Sequence, residues 1–282
     1  MEIISRIPRM VSIGRDLRSH GKRIALVPTK GSLHEGHLSL TSRARELSDI
    51  VILSIVADGS ADHHLENLHQ SLARDAELAF NRSVDFIFAP AADDMFPKGF
   101  STSVLVEGLT DKLEGASRSG HLRDATTALN KLINMIHPHF ALLGRKNAQQ
   151  VILLKRMVRD LAMDVEIVVC PTMREEDGLA LSSSNAGLST EERKAAIILR
   201  RALERCRSLV NAGERDSARL INSMRSALEA QPLARIDYIG VTDVDRLDDV
   251  DVVASDAPTL VSIAVFIGKT RLTDNIVLNG EI

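Results

Sequence analysis

Short apolar runs alternate, over the first 170 residues, with longer segments whose apolar positions recur every three or four residues. The runs 24–28, 50–57, 84–89, 140–143 and 165–169 have the length and apolar content of buried strands. The segments 38–47, 65–81, 125–136 and 149–162 carry the helical period. Strand and helix in strict alternation predict a doubly wound parallel sheet, covered by helices on both faces. Residues 96–121 interrupt the rhythm with Pro97, Gly99, Gly108, Gly115 and Gly120, which predicts loops around one short strand at 103–107. After Pro171 the order changes. Helical runs at 190–212 and 216–230 precede strand-like runs at 235–242, 259–267 and 270–278. The expectation is an α/β domain over 1–172 and a smaller α+β domain over 173–282 that closes over the site.

The junction of the first apolar run and the first helix holds Val27-Pro-Thr-Lys-Gly-Ser-Leu-His-Glu-Gly-His37. In an open parallel sheet this is where anions bind. Helix N-terminal amides point at them, and glycine admits a phosphate close to the backbone. His34 and His37, three residues apart, share a face of a helical turn. Two imidazoles there can neutralise charge that develops on a phosphate. The alternatives are surface histidines at a helix start, or a metal pair. A metal needs a third ligand; Asp62, His63 and His64 are candidates, but nothing in the sequence fixes them nearby.

Two further stretches carry polar chemistry. Gly144-Arg-Lys-Asn-Ala-Gln-Gln150 follows an apolar run and so lies at the carboxyl edge of the sheet. Lys146 can meet a phosphate as a point charge, and Gln149 and Gln150 can both donate and accept. Leu181-Ser-Ser-Ser-Asn185 offers hydroxyls and an amide, although a Ser-rich linker has the same composition.

Composition narrows the picture. The chain has 282 residues, 44% hydrophobic and 26% charged, which suits a sizeable core. A net charge of −3 argues against broad binding to nucleic acid or anionic membrane. No apolar run is long enough for a membrane span and the N-terminus lacks a signal-type core, so a cytoplasmic protein is expected. Cys170 and Cys206 do not make a disulfide framework and read as small buried apolar residues. The charged runs 191–194 and 243–256 read as solvated surface.

Taken in order, the three stretches resemble the pantothenate synthetase (pantoate–β-alanine ligase) family of the His-x-Gly-His nucleotidyltransferases. Leu113-Glu-Gly115, Gly120-His121, Gly178-Leu-Ala-Leu-Ser-Ser183 and Arg271-Leu-Thr-Asp-Asn275 add to the likeness, which runs nearly end to end. The resemblance implies a Rossmann-like α/β domain with the smaller α+β domain behind it. It also implies an ATP-dependent, AMP-forming amide synthesis with Mg2+ accompanying the nucleotide. A small carboxylic acid is activated as an acyl-adenylate and then attacked by an amine such as β-alanine. A homodimer is expected. His34, His37 and Lys146 become the catalytic group, with His37 in the proton-donor position. Lys30, Gly31, Gly36, Gly144, Asn147, Met173, Leu181, Ser182, Ser183 and Ser184 join them around ATP. Ala61 and Gln150 take the positions facing the acid, and no protein metal site is implied.

Several of these positions depart from the family pattern. Lys30 stands for methionine, Ala61 for the acid-binding glutamine, Arg145 for glutamate, Asn147 for aspartate, Ser184 for arginine and Asp124 for glycine. The segment Val56-Ala-Asp-Gly-Ser-Ala-Asp62 replaces an aromatic, amide-rich one. Three readings follow: the family reaction itself, the same chemistry with another acid or amine, or nucleotide binding without turnover.

Overall fold

The computed structural model describes residues 1–56 and 65–282, with 65–71 as backbone only. In chain order the elements are β1 (Glu2–Ile4), α1 (Ile7–Ser19), β2 (Ile24–Thr29), α2 (Glu35–Leu47), β3 (Ile50–Ile55), α3 (Leu65–Phe80), β4 (Phe86–Phe88), α4 (Ala92–Met95), α5 (Glu114–Ser117), α6 (His121–Ile136), β5 (Phe140–Gly144), α7 (Ala148–Asp160), β6 (Glu166–Cys170), α8 (Thr190–Ala195), α9 (Ile198–Asn211), α10 (Ser217–Glu229), β7 (Ala234–Asp243), β8 (Thr259–Ile267) and β9 (Thr270–Leu278).

The chain forms two compact units. The first comprises Met1–Thr110, Arg118–Arg145 and Gln149–Pro171, and the second Asp111–Ser117, Lys146–Ala148 and Thr172–Ile282. The first holds a parallel sheet in the order β1-β4-β3-β2-β5-β6. Its central strands are almost wholly apolar and buried: Ile24, Ala25, Leu26 and Val27 of β2 and Val51, Ile52 and Leu53 of β3 have no exposed surface. That is the expected composition of a strand covered on both faces. Strand order runs outward from β2 through β3 on one side and through β5 on the other. The carboxyl ends of β2 and β5 therefore flank the switch point, where open α/β sheets take their ligands.

The second unit is an antiparallel sheet β7-β8-β9, with α9 and α10 packed on it. Its core gathers Leu199, Leu203, Cys206, Leu220, Met224, Val261, Ile263 and Val265. Both cysteines are free and buried, and burial pushes the Cys206 thiol up to about 11.

The pattern-based reading needs four corrections. Residues 103–107 form no ladder. The backbone there pairs with side chains instead: Val104 N–H donates to Thr127 Oγ1 (2.9 Å) and its carbonyl accepts from Thr126 Oγ1 (2.6 Å). The run 190–212 is two helices, α8 and α9. The edge strand β1 and helix α1 precede everything the pattern revealed. The charged runs also do more than face water. Asp243 accepts from the amides of Asp245, Arg246 and Asp248, while Leu247 and Val253 are buried. Arg193 in the other run pairs with Glu175 and Asp177. Among the described residues no helix is long and apolar enough to cross a membrane.

Candidate active site

The turn from β2 to α2 is built by inward hydrogen bonds. Thr29 Oγ1 donates to the Ser54 carbonyl (2.7 Å) and accepts from Gly31 N–H (3.2 Å), tying the turn to β3. Gly31 and Ser32 both adopt positive φ, 81° and 52°. Glycine takes that conformation without strain, whereas Ser32 has to be held in it. The amides of Ser32 and Leu33 donate to the two carboxylate oxygens of Asp75 on α3, each at 2.8 Å.

His34 is the N-cap of α2. Its Nδ1 accepts from Gly36 N–H at 3.1 Å, which leaves Nε2 to carry the proton of the neutral ring. His37, one turn later, stacks on it with ring centroids 4.0 Å apart and planes inclined by 29°. The pair therefore forms a single two-ring surface at the carboxyl end of β2. The amides of Gly31, Ser32, Leu33 and Gly36 donate within the protein, to Thr29 Oγ1, the two oxygens of Asp75 and His34 Nδ1. Lys30 is exposed beside them.

After β5, Gly144 and Arg145 remain in the first unit. Gln149 is buried and donates through Nε2 to the Leu109 carbonyl (2.9 Å), a packing role. Gln150 is half-buried.

In the second unit, Lys146 lies in a field of paired charges. Its carbonyl accepts from Asn275 Nδ2 at 2.8 Å. Asp274, with a side chain 2% exposed, forms a two-point pair with Arg174 at 2.7 and 3.0 Å. Arg271 bridges both oxygens of Glu114 (2.7 and 2.9 Å) and Asp237 Oδ2 (2.7 and 3.0 Å). Burial pulls the Lys146 ammonium below its ordinary value. Asp274 and Glu114 oppose that shift, and Arg174 and Arg271 reinforce it. Asn147 is exposed one position on.

The Ser-rich stretch is ordered by its own hydrogen bonds. Leu181 N–H donates to the Met173 carbonyl (3.0 Å), so these two residues are neighbours, with Met173 exposed. Ser182 Oγ accepts from Ser184 N–H (3.3 Å) as the cap of a short turn over Ser183–Gly187. Asn185 donates to Glu175 Oε1 (2.8 Å) and to the Ala180 carbonyl (3.1 Å). Ser183 and Ser184 are exposed.

The structure thus brings His34 and His37 together within one unit. Within the other it groups Lys146 with Asn275, and Met173 with Leu181. Ala61, Asp58, Asp62, His63 and His64 lie outside the described residues. Among the described residues no group of three or more His, Cys, Asp or Glu side chains is placed to hold a metal ion. Sequence reasoning attached no role to Asp75, nor did it pair Glu114 with Arg271 or Arg174 with Asp274. Glu114, Arg271 and Asp274 were visible only as charges within stretches that carried the resemblance, and Arg174 lies outside those stretches. Asp75 looks like any polar position of an amphipathic helix.

A parallel α/β sheet with a paired-histidine turn at its switch point, joined to an antiparallel α+β unit, defines the class of nucleotide-handling fold to which this chain conforms. The family model for pantoate-beta-alanine ligase matches residues 2–277. Pantothenate synthetases from Moorella thermoacetica and Geobacter sulfurreducens are 44% and 45% identical to it, over 99% and 100% of both chains. A crystal structure of the Thermus thermophilus enzyme superposes with a TM-score of 0.88 at 36% identity, covering 98% of this chain and 99% of that one. The Francisella tularensis pantoate-beta-alanine ligase, described as complexed with beta-gamma ATP and beta-alanine, gives a TM-score of 0.75 at 29% identity, covering 100% and 99%. The chain belongs to the pantoate–β-alanine ligase family.

Proposed function

We propose that this chain is an ATP-dependent, AMP-forming carbon–nitrogen ligase that joins pantoate to β-alanine. Family membership over 2–277 supports the reaction class. The stacked His34–His37 pair at the carboxyl end of β2 is the observation that carries it to these residues. In the first step a carboxylate oxygen of the acid attacks the α-phosphorus. The bond from that phosphorus to the bridging oxygen breaks, and pyrophosphate leaves. In the second step the neutral amine attacks the acyl carbon, AMP leaves with the bonding electrons, and the nitrogen gives up a proton.

His34, with Nδ1 occupied by Gly36 N–H, presents Nε2–H to a phosphate oxygen. His37 shares that charge and donates a proton to the departing pyrophosphate. Lys146 supplies a half-buried positive charge, worth more toward phosphate than a fully solvated one. The family resemblance gives nucleotide-facing roles to Lys30, Gly31, Gly36 and Gly144 in the first unit and to Asn147, Met173, Leu181 and Ser182–Ser184 in the second. Gln150 meets the acid; Ala61, the other position that the family resemblance assigns to the acid, lies outside the described residues. Mg2+ accompanying the triphosphate would neutralise part of its charge, and few protein oxygens would be needed to hold it. The reading includes a homodimer, the commonest symmetric assembly, and a reducing cytoplasm in which both buried thiols stay free.

A second reading is favoured by specific residues: the same chemistry on a different acid. Ala61 cannot hydrogen-bond a hydroxyl or carboxylate as glutamine does, and Ser184 and Asn147 bring no charge. Acid-dependent release of pyrophosphate from Mg–ATP, with pantoate and a panel of small carboxylic acids, decides between them. Release with pantoate, and pantothenate on adding β-alanine, is the expected result. Release only with another acid selects the second reading. ATP binding with no release overturns both.

A further inference from the structure

We propose that Asp75 is a positioning residue for the nucleotide turn, holding the His34–His37 surface in register from the neighbouring helix; this deepens, and rests on, the ligase reading above.

Asp75 is completely buried, and its two oxygens accept from two consecutive backbone amides, Ser32 and Leu33, both at 2.8 Å. A buried carboxylate needs strong compensation. Two short charge-assisted bonds supply it and bind the turn to α3 in return. What they hold is a backbone that does not hold itself, because Ser32 sits at φ 52° without glycine's freedom. Two residues on, His34 caps α2, and its ring orientation determines the stacking of His37. A shift at Ser32–Leu33 is therefore delivered directly to both imidazoles. The same two bonds occupy the Ser32 and Leu33 amides, so these two do not contribute to a phosphate cradle and act on the nucleotide only through the rings they position. Asp75 itself touches neither ring and is not a catalytic residue. The exposed Arg82–Glu35 pair (3.0 Å) also links the end of α3 to the start of α2. It lies in solvent and supplies a control.

The test compares Asp75→Asn with wild type and Arg82→Ala in the full chain. Asparagine keeps the shape and one acceptor but turns an NH2 group toward the second amide. Mg–ATP affinity by calorimetry is expected to fall about 10–100-fold, and kcat/KM for ATP to fall with it. The KM for the acid and all Arg82→Ala values are expected to hold. Hydrogen exchange is expected to rise at the Ser32 and Leu33 amides, while Leu26 and Val27 of β2 stay protected. Unchanged ATP affinity overturns the proposal. So does a loss accompanied by exchange throughout β2 and β3, which would mark a purely structural role. If the asparagine variant does not fold, Asp75→Glu takes its place. It keeps the charge but is one methylene longer, and it must weaken ATP binding at an unaltered melting temperature. A wild type that binds ATP but releases no pyrophosphate overturns the ligase reading while leaving the Asp75 test intact. Normal turnover with an unaffected Asp75→Asn overturns Asp75 alone.

Discussion

Lys146, in the phosphate-facing role proposed for it, serves function at the expense of the fold. Its ammonium lies among Asp274, Glu114, Arg174 and Arg271, and burial outweighs the two carboxylates, so its pKa falls below the ordinary 10.5. The unfolded chain therefore holds this proton more tightly than the folded one. The charge costs stability at every pH below the folded pKa, and that cost is relieved as pH rises through the window up to 10.5. Activity runs the other way, since only the ammonium stabilises phosphoryl charge. The alkaline limb of kcat/KM for ATP is expected below the ordinary lysine range. Lys146→Arg, which keeps its proton, should abolish that limb. Lys146→Met should lose about 10²–10³-fold in pyrophosphate release yet melt no lower than wild type. A pH–rate profile and a thermal melt on the same preparations check all three. A limb at or above the ordinary lysine value, or a lower melting temperature in the methionine variant, would show that the lysine is stabilised by its partners.

Elements were legible where burial imposes a period, and illegible where tertiary contacts decide. Strands β2 and β3 stand out because both faces are covered and nearly every residue is apolar. Strand β1 is three residues long with Ile3 exposed, too short to show a period. Helix α1 carries an apolar stripe at Ile7, Met10, Val11, Gly14 and Leu17 that the pattern reading passed over, although only Met10 and Gly14 of it are fully buried. The break between α8 and α9 falls at Ala196 and Ile197, both compatible with helix, and only packing ends the first segment. The paired histidines were readable because their spacing is local. Asp75 was not, because its partners lie 42 and 43 residues away. Gly14 exposes the same limit and permits a sharp prediction. A Cβ there would stand 2.5 Å from the Ile136 carbonyl oxygen of α6, a backbone atom that cannot swing aside. Gly14→Ala should cost about 1–3 kcal/mol in urea unfolding by overpacking while leaving kcat/KM per folded molecule unchanged. A neutral or stabilising alanine would mean that α1 is free to shift along α6.

At the scale of the molecule the question is which parts of the chain share an energetic fate. A boundary near residue 172 is natural to the order of helices and strands, but the compact units interleave: Asp111–Ser117 and Lys146–Ala148 group with Thr172–Ile282. The reason lies in charge. Glu114 finds its partner Arg271 157 positions later, and both side chains are only 16% exposed. Lys112 reaches Asp248 and the Arg246 carbonyl in the same unit, and the Leu113 side chain fills the space a Cβ on Gly240 would need. Lys146 is held by Asn275 through its own carbonyl. If these contacts define an energetic unit, damage at Glu114 must travel to β7 and β9 and not to the strands that precede it in the chain. Glu114→Gln leaves Arg271 with Asp237 as its remaining carboxylate partner among the described residues, and should destabilise by about 1–3 kcal/mol, the range for a hydrogen bond to a charged group. Hydrogen exchange then locates the loss. Faster exchange in 236–240 and 271–276, with β2, β3 and β4 unchanged, is expected. Faster exchange in β4 and α4 instead would assign 111–117 to the first unit and restore the boundary drawn from sequence order. The Lys146 carbonyl, the acceptor for Asn275 on β9, falls within the expected response. A weakened Glu114–Arg271 pair should therefore also lower kcat/KM for ATP, with no substituted residue among those proposed to touch the nucleotide.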